Sequence, residues 1–483
     1  MSSTRHFDYI IVIPYYSSSN EIEFSIAIAK ELTNRGYAVG IIIKEITGEY
    51  NEKDFEFGDI PHWDLDKANK SRLMYSNDTI KRIKNTYNIY SLRNFYFTEL
   101  IYNKAGKGDF YEISNDYESE HLLKKTLYVF QALEHFLDEN NVKFFIHLDF
   151  GGEIFRRAVY HIGKIRDIPS IYLRPLPIKD RFALISNEKD YLDGLVLKPY
   201  DQLSFEDINA AKNFLEDFKK QKKMVLYRYE DKKNIFYKIR RKYQKDRERG
   251  VKRIDTIRDY IPEINKRTIK KIKYSNLWHN TDYNEKYFFF PLHYHCESIL
   301  TFRNAQFWRQ EWLVEYVARS LPDGYKLYVK PHPEWKMRFP YTDLKEISKI
   351  SNVVLIDPDE HSHKLIENSS AVVVIASTTG FEAILYGKTV VCLGKVFYRR
   401  LGMTIDVDNL WELPDALNKA LAFELKNEDV IRFIASLKAS SYEGKTLYDF
   451  GPNREKLFLS DENIKMVVDA YVDFSRRISG KLK

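Results

Sequence analysis

Between Lys326 and Val391 the chain twice runs an apolar strand into an abrupt polar stop, and this constrains most of what it can fold into. Leu327 to Val329 stops at Lys330-Pro331-His332-Pro333, and Ala371 to Ile375 stops at Ser377-Thr378-Thr379-Gly380. Short apolar runs bounded by turn residues and separated by helix-length segments read as buried parallel strands. In an open α/β sheet the carboxyl ends of such strands carry the ligand site, so both stops are expected to face one crevice.

The second stop is built for an anion. Ser377, Thr378 and Thr379 fall at the expected N-cap of a helix beginning near Phe381, where unpaired backbone N–H groups and the positive end of the helix dipole favour phosphate. Gly380 is read as room for a ligand to approach the backbone, and Glu382 as a carboxylate for ribose hydroxyls. A capped helix with a first-turn acid explains the same residues without any ligand. His332 adds weight to the phosphate reading. Standing between two prolines, it is held extended at the strand end, and Lys330 two residues earlier is expected on the same side. Together they offer two donors to a phosphate oxygen.

The same alternation opens the chain. Tyr9 to Pro14, a small polar turn at Ser17 to Asn20, a helix from Glu21 to Arg35 ended by Gly36, and a strand from Val39 to Lys44 form a β-loop-α-β unit without GxGxxG, which argues against a dinucleotide-binding oxidoreductase. Val142 to Leu148 is a further strand, ending in Asp149-Phe150-Gly151-Gly152-Glu153 before a helix. Two carboxylates at a strand end, with glycines that admit a sugar, suit a general base or nucleophile, Glu153 first and Asp149 second. After the strand Ile168 to Leu173, Arg174 and Arg181 bound a Pro-rich loop expected to hold an anionic acceptor.

Composition excludes several classes. The chain has 483 residues and 44% hydrophobic residues, enough for two cores. The two cysteines, Cys296 and Cys392, stand far apart beside apolar runs, which points to reduced thiols in the cytoplasm. No apolar run reaches the ~20 residues of a membrane span, and Tyr9 to Tyr16 is too short for a signal peptide. The twelve histidines show no metal-ligand spacing. Three Asp-x-Asp triplets, beginning at Asp64, Asp357 and Asp406, are read as chance occurrences, so no metal is expected. Residues 231–280 hold 17 Lys and Arg against 6 Asp and Glu, an excess of 11 that leaves the other residues at −4 within the total of +7. With Phe236, Tyr237, Ile239 and Tyr243 interleaved, this segment suits an anionic membrane face or lipid-linked glycan; a solvated helical face is the alternative, and no nucleic-acid module accompanies it.

The order FFFPLHYHCESIL, LPDGYKLYVKPHP, SNVVLIDP and LIENSSAVVVIASTTGFEAILYGKTVVCLGKVFY resembles the capsule polysaccharide (surface carbohydrate) biosynthesis family, over roughly Tyr287 to Tyr398. Where that family often reads PLHYQPE, this chain has His295-Cys296 before Glu297. The resemblance implies a GT-B glycosyltransferase: two Rossmann-like doubly wound domains facing a central cleft, with a helical basic insertion between them. The implied division is an acceptor domain over 1–200, a basic linker over 201–282, a nucleotide-sugar domain over 283–445 and a terminal helix within 446–483 that crosses back. Lys330, His332, Ser377 to Gly380 and Glu382 would hold a CMP-, UDP- or GDP-linked donor without metal or other cofactor. Glu153, Asp149 or Glu297 would act on the acceptor hydroxyl, and His332 on the leaving phosphate. Two other classes remain: a glycerophosphotransferase of the teichoic acid type, to which the His-Pro and Ser/Thr motifs are also similar, and a non-catalytic glycan-binding scaffold.

Overall fold

A computed structural model describes residues 4–14, 19–44, 54–65, 74–105, 116–149, 151–186, 197–221, 269–333, 336–447, 449 and 455–481. Most of the basic segment and the turn at 15–18 lie outside these residues. The chain folds into two α/β lobes, each around its own sheet.

The first sheet contains β1 (Arg5–Ile13), β2 (Val39–Ile43), β3 (His62–Asp64), β4 (Asn140–His147), β5 (Ser170–Pro175), β6 (Arg181–Ile185) and β13 (Tyr442–Glu443), ordered β13-β6-β5-β4-β1-β2-β3. From β3 to β5 it is parallel; β6 and β13 are antiparallel additions at one edge. Ile10 to Ile13 and Ile41 to Ile43 are buried, as strands covered by helices on both faces must be. Helix Ser19–Asn34 ends as its sequence requires, with Gly36 at φ 87°, in the left-handed region.

The second sheet contains β7 (Tyr287–Pro291), β8 (Lys326–Lys330), β9 (Val353–Leu355), β10 (Ala371–Val374), β11 (Val390–Cys392) and β12 (Ile405–Asp406). Its order is β12-β11-β10-β7-β8-β9, parallel throughout. Numbered from β7 this is the doubly wound order, and it reverses direction between β7 and β10. The crevice of such a sheet opens at that reversal, above the loops that follow β7 and β10. The loop after β8, with Lys330 and His332, is one strand away.

Three local expectations shift. The helix after Ser377 runs Thr378–Leu385, so it starts three residues before Phe381, and Ser377 itself is the N-cap. The alternation of strands and helices also implies one helix from Asn304 to Ser320 between β7 and β8, where the structure has a π turn at Ile299–Arg303, a 3-10 turn at Ala305–Phe307 and a helix at Gln310–Arg319. There the buried Asn304 amide accepts from the Lys395 N–H at 2.8 Å, a tertiary bond that holds the chain in a turn. The Pro-rich loop between Arg174 and Arg181 is a hairpin, with Arg174 paired to Ala183 across the β5–β6 ladder and Asp180 at φ 54° in its turn.

After helix Asn427–Ala439, which packs on helix Phe205–Gln221, the chain returns to the first lobe through β13 and the helix Asp461–Lys481. Val467, Val468, Tyr471 and Val472 of that last helix join the first-lobe core, and the Tyr9 and Ser475 hydroxyls bond at 2.8 Å. Among the described residues, no helix is long and apolar enough to cross a membrane.

Candidate active site between the lobes

The loop after β7 is the best-secured element of the crevice. Gln310, wholly buried at the start of its helix, donates to the His293 carbonyl at 2.9 Å and accepts from the His293 N–H at 2.7 Å, imitating a strand neighbour. Leu292 N–H donates to the Lys330 carbonyl, which ties this loop to the end of β8. The Tyr294 hydroxyl meets His332 Nδ1 at 2.7 Å, with the rings edge to face, so His332 is oriented by a side chain that the sequence did not single out. His293 Nδ1 lies 3.2 Å from Glu297 Oε2, while His293 Nε2 is buried with no hydrogen-bond partner. Glu297, a candidate base, is thus coupled to a histidine whose other nitrogen is left over. Its carbonyl accepts from Leu300 and Thr301 and starts the π turn.

Lys330 is 4% exposed, and its ammonium donates to Ser362 Oγ at 3.0 Å. Burial pulls it down to about 8, against the raising pull of Asp359, Glu360, Asp357 and Glu382. A lysine titrating so near neutrality gains most from an incoming phosphate, because phosphate supplies the charge that burial removed. Glu382, one of the acids acting on Lys330, is 2% exposed, so its carboxylate is buried within the second lobe.

At the other stop, Ser377 Oγ accepts from the Thr379 N–H at 3.1 Å, the expected cap. Ser377, Thr378 and Thr379 are partly exposed and Gly380 is buried. The reason for the glycine differs from the expected one: a Cβ at Gly380 would strike the Tyr398 hydroxyl, which donates to the Ser377 carbonyl at 2.6 Å. The close approach that Gly380 permits is that of a protein side chain bracing the loop.

In the first lobe, Asp149 is partly exposed at the end of β4, and Glu153 is the N-cap residue of helix Ile154–Ile165 without making a side-chain cap bond. The job of cap falls to Glu99, whose carboxylate accepts from the Ile154 N–H at 3.0 Å and from Lys125 at 2.7 Å. Glu153 is left free of that duty. Its carboxylate folds back over Gly151, where a Cβ would collide with it, and Oε2 is 3.8 Å from Arg156, itself held by Glu21 at 2.7 Å. Gly152 is close to Phe302 of the second lobe, as Arg157 is: its guanidinium lies 4.7 Å from that ring and 4.2 Å from Phe95. The loop carrying Glu153 therefore abuts the turn that begins at Glu297.

Both acceptor candidates lie on the β5–β6 hairpin. Arg181 donates to the carbonyls of Lys438 and Ser441 and to Glu443 at 2.6 Å, fastening β13 to β6. Arg174 is partly buried in β5. Of the Asp-x-Asp triplets, Asp357 and Asp359 share Lys336, and Asp406 and Asp408 are clamped by Arg399 and Arg400; Asp66 lies outside the described residues.

Two doubly wound lobes meeting at their strand-end loops, with the terminal helix returned to the first, define a glycosyltransferase-like GT-B architecture. Residues 188–421, just under half of the chain, match the family model described as capsule polysaccharide biosynthesis protein. No curated protein matches the sequence. Among solved structures, the chain is similar to Thermosulfurimonas dismutans KpsC, beta Kdo 2,7 transferase, at 14% identity and TM-score 0.37, over 71% of this chain and 89% of that one. It is also similar to the beta Kdo 2,4 transferase of KpsC from the same organism, at 17% and 0.34 over 63% and 93%. A third likeness is Methanocaldococcus jannaschii UDP-GlcNAc 2-epimerase in complex with UDP-GlcNAc and UDP, at 12% and 0.29 over 90% and 99%. Likenesses at these scores carry no weight for the chemistry.

Proposed function

We propose that the protein transfers a sugar from a nucleotide-activated donor to a surface polysaccharide or lipid-linked glycan, with the nucleotide in the second lobe and the acceptor at the first. The observation that carries this reading is the convergence of Lys330, His332 and the Ser377-capped helix start at the carboxyl ends of β8 and β10, on either side of β7. These are fixed donors aimed where a departing phosphate accumulates charge, which is stabilisation of the oxyanion type. No step needs a metal at the phosphate. His332, held by Tyr294, donates to the leaving oxygen; Lys330 neutralises the phosphate; the Thr378 and Thr379 end of the helix supplies its dipole. Glu153 and Asp149 from the first lobe, or Glu297 with His293 behind it, take the acceptor proton or form the first bond to the sugar. Site and family model together support sugar transfer, and the excess of Lys and Arg over residues 231–280 supports work at a cytoplasmic membrane face.

The test is incubation of the full chain with CMP-, UDP- and GDP-linked sugars and a lipid-linked glycan, followed by phosphorus NMR. Release of the intact nucleotide, with phosphorus absent from the glycan product, is expected for one donor class. A parallel incubation with CDP-glycerol that releases CMP and leaves glycerol phosphate in the product identifies a glycerophosphotransferase, and no turnover of any donor supports the scaffold alternative.

A further inference from the structure

Beneath the loop after β7, the fold gathers three ligating side chains that no spacing along the chain connects. His295 is on the loop, Glu311 is in the first turn of helix Gln310–Arg319, and Asp343 is in the first turn of helix Tyr341–Ile347. One ligating atom from each lies within 4.8 Å of the others, and His295 Nε2 stands 3.9 Å from Asp343 Oδ2. We propose that His295, Glu311 and Asp343 form a structural site for a first-row divalent cation that pins this loop to the two helices.

Three observations support it. Two donors each about 2.1 Å from one ion stand no more than about 4.2 Å apart, so the His295–Asp343 pair is already in range and Glu311 needs only a small closure. His295 is wholly buried, with its ring edge to face on Phe339 at 4.4 Å between centroids, so the packing fixes the imidazole in place. Asp343 is buried as well, and Glu311, partly exposed and 3.6 Å from Arg309, completes two carboxylates around one imidazole, a set that attracts a divalent cation. An imidazole with two carboxylates suits Mn²⁺ or Zn²⁺. The cation would hold the base of the loop that bears Tyr294 and Glu297 without touching the phosphate, so the site stands or falls independently of the transfer reaction.

The test uses the full chain, stripped with EDTA and dialysed, then titrated with Mn²⁺ alone and with Zn²⁺ alone. One bound Mn²⁺ per chain is expected, with imidazole nitrogen modulation in its pulsed EPR spectrum, and a rise of several degrees in the melting temperature at a hundredfold excess over Kd. Zn²⁺ should displace the Mn²⁺. In His295→Gln the nitrogen modulation should vanish and affinity fall by roughly a hundredfold. Should that variant fail to fold, Glu311→Gln, at a partly exposed position, should keep the metal-free melting temperature and lose at least tenfold in affinity. No stoichiometric binding, or binding unchanged in either variant, overturns the proposal.

Discussion

At the scale of single residues, His332 and Lys330 are the two cationic donors of the proposed phosphate site. His332 is oriented by the Tyr294 hydroxyl, 2.7 Å from its Nδ1, on a strand-end loop outside the two sheets, and is assigned to the leaving phosphate. His332→Ala is therefore expected to lower turnover by about a hundredfold, the usual loss for one oxyanion donor, with the melting temperature nearly unchanged. Steady-state kinetics and a thermal melt check both halves; undiminished turnover removes His332 from the phosphate. Lys330 makes the site sensitive to pH. Its amine, brought down to about 8 by burial, binds phosphate only when protonated. Donor affinity should thus be constant below pH 7 and fall as pH rises through 8, because binding must then take up a proton. Lys330→Arg keeps its charge throughout this range and should flatten the profile. A wild-type profile that is flat from pH 6 to 9 contradicts the assignment.

At the scale of elements, Gly380 tests how the phosphate loop is built. Gly380→Ala places a methyl against the Tyr398 hydroxyl and should destabilise the protein by about 1–3 kcal/mol, as overpacked cores do. Adding Tyr398→Phe removes the oxygen that the methyl meets and should recover part of that loss in a denaturant titration; a strictly additive double variant places the strain elsewhere. The example also shows what a sequence conveys. The parallel strands and their two polar stops are legible because burial on both faces demands unbroken apolar runs, and turns demand Pro, Gly and Ser at their ends. The glycine was legible as a close approach, but its neighbour, 18 positions away, was not. Contacts made across the chain leave no local trace: Glu99 capping the helix at Ile154, Gln310 bracing His293, and His295 meeting Asp343 all depend on the finished packing. The same holds for the β5–β6 hairpin, where β6 pairs in turn with β13 from the far end of the chain.

At the scale of the whole molecule, two lobes meet where Gly152 and Arg157 touch Phe302, and the chain's positive charge sits in the segment between them. If that segment brings the enzyme to a lipid-linked acceptor, binding should be reversible and salt-sensitive, worth about 1 kcal/mol per basic residue near the bilayer. Co-sedimentation with anionic vesicles should fall at high salt and in a variant with Lys238, Arg240, Arg241, Lys242 and Lys245 replaced by Gln; equal pelleting of both proteins, or indifference to lipid charge, returns the segment to a solvated linker. The central claim is narrower: the crevice of the second sheet binds a nucleotide's phosphate through Lys330. Calorimetric titration of the wild-type chain and Lys330→Met with CMP, UDP and GDP at pH 7 tests it directly. Saturable binding of one nucleotide, weakened by at least about tenfold in Lys330→Met as expected for loss of a charged hydrogen bond, is the result expected. No binding of any of the three, or equal affinity in the two proteins, would contradict it.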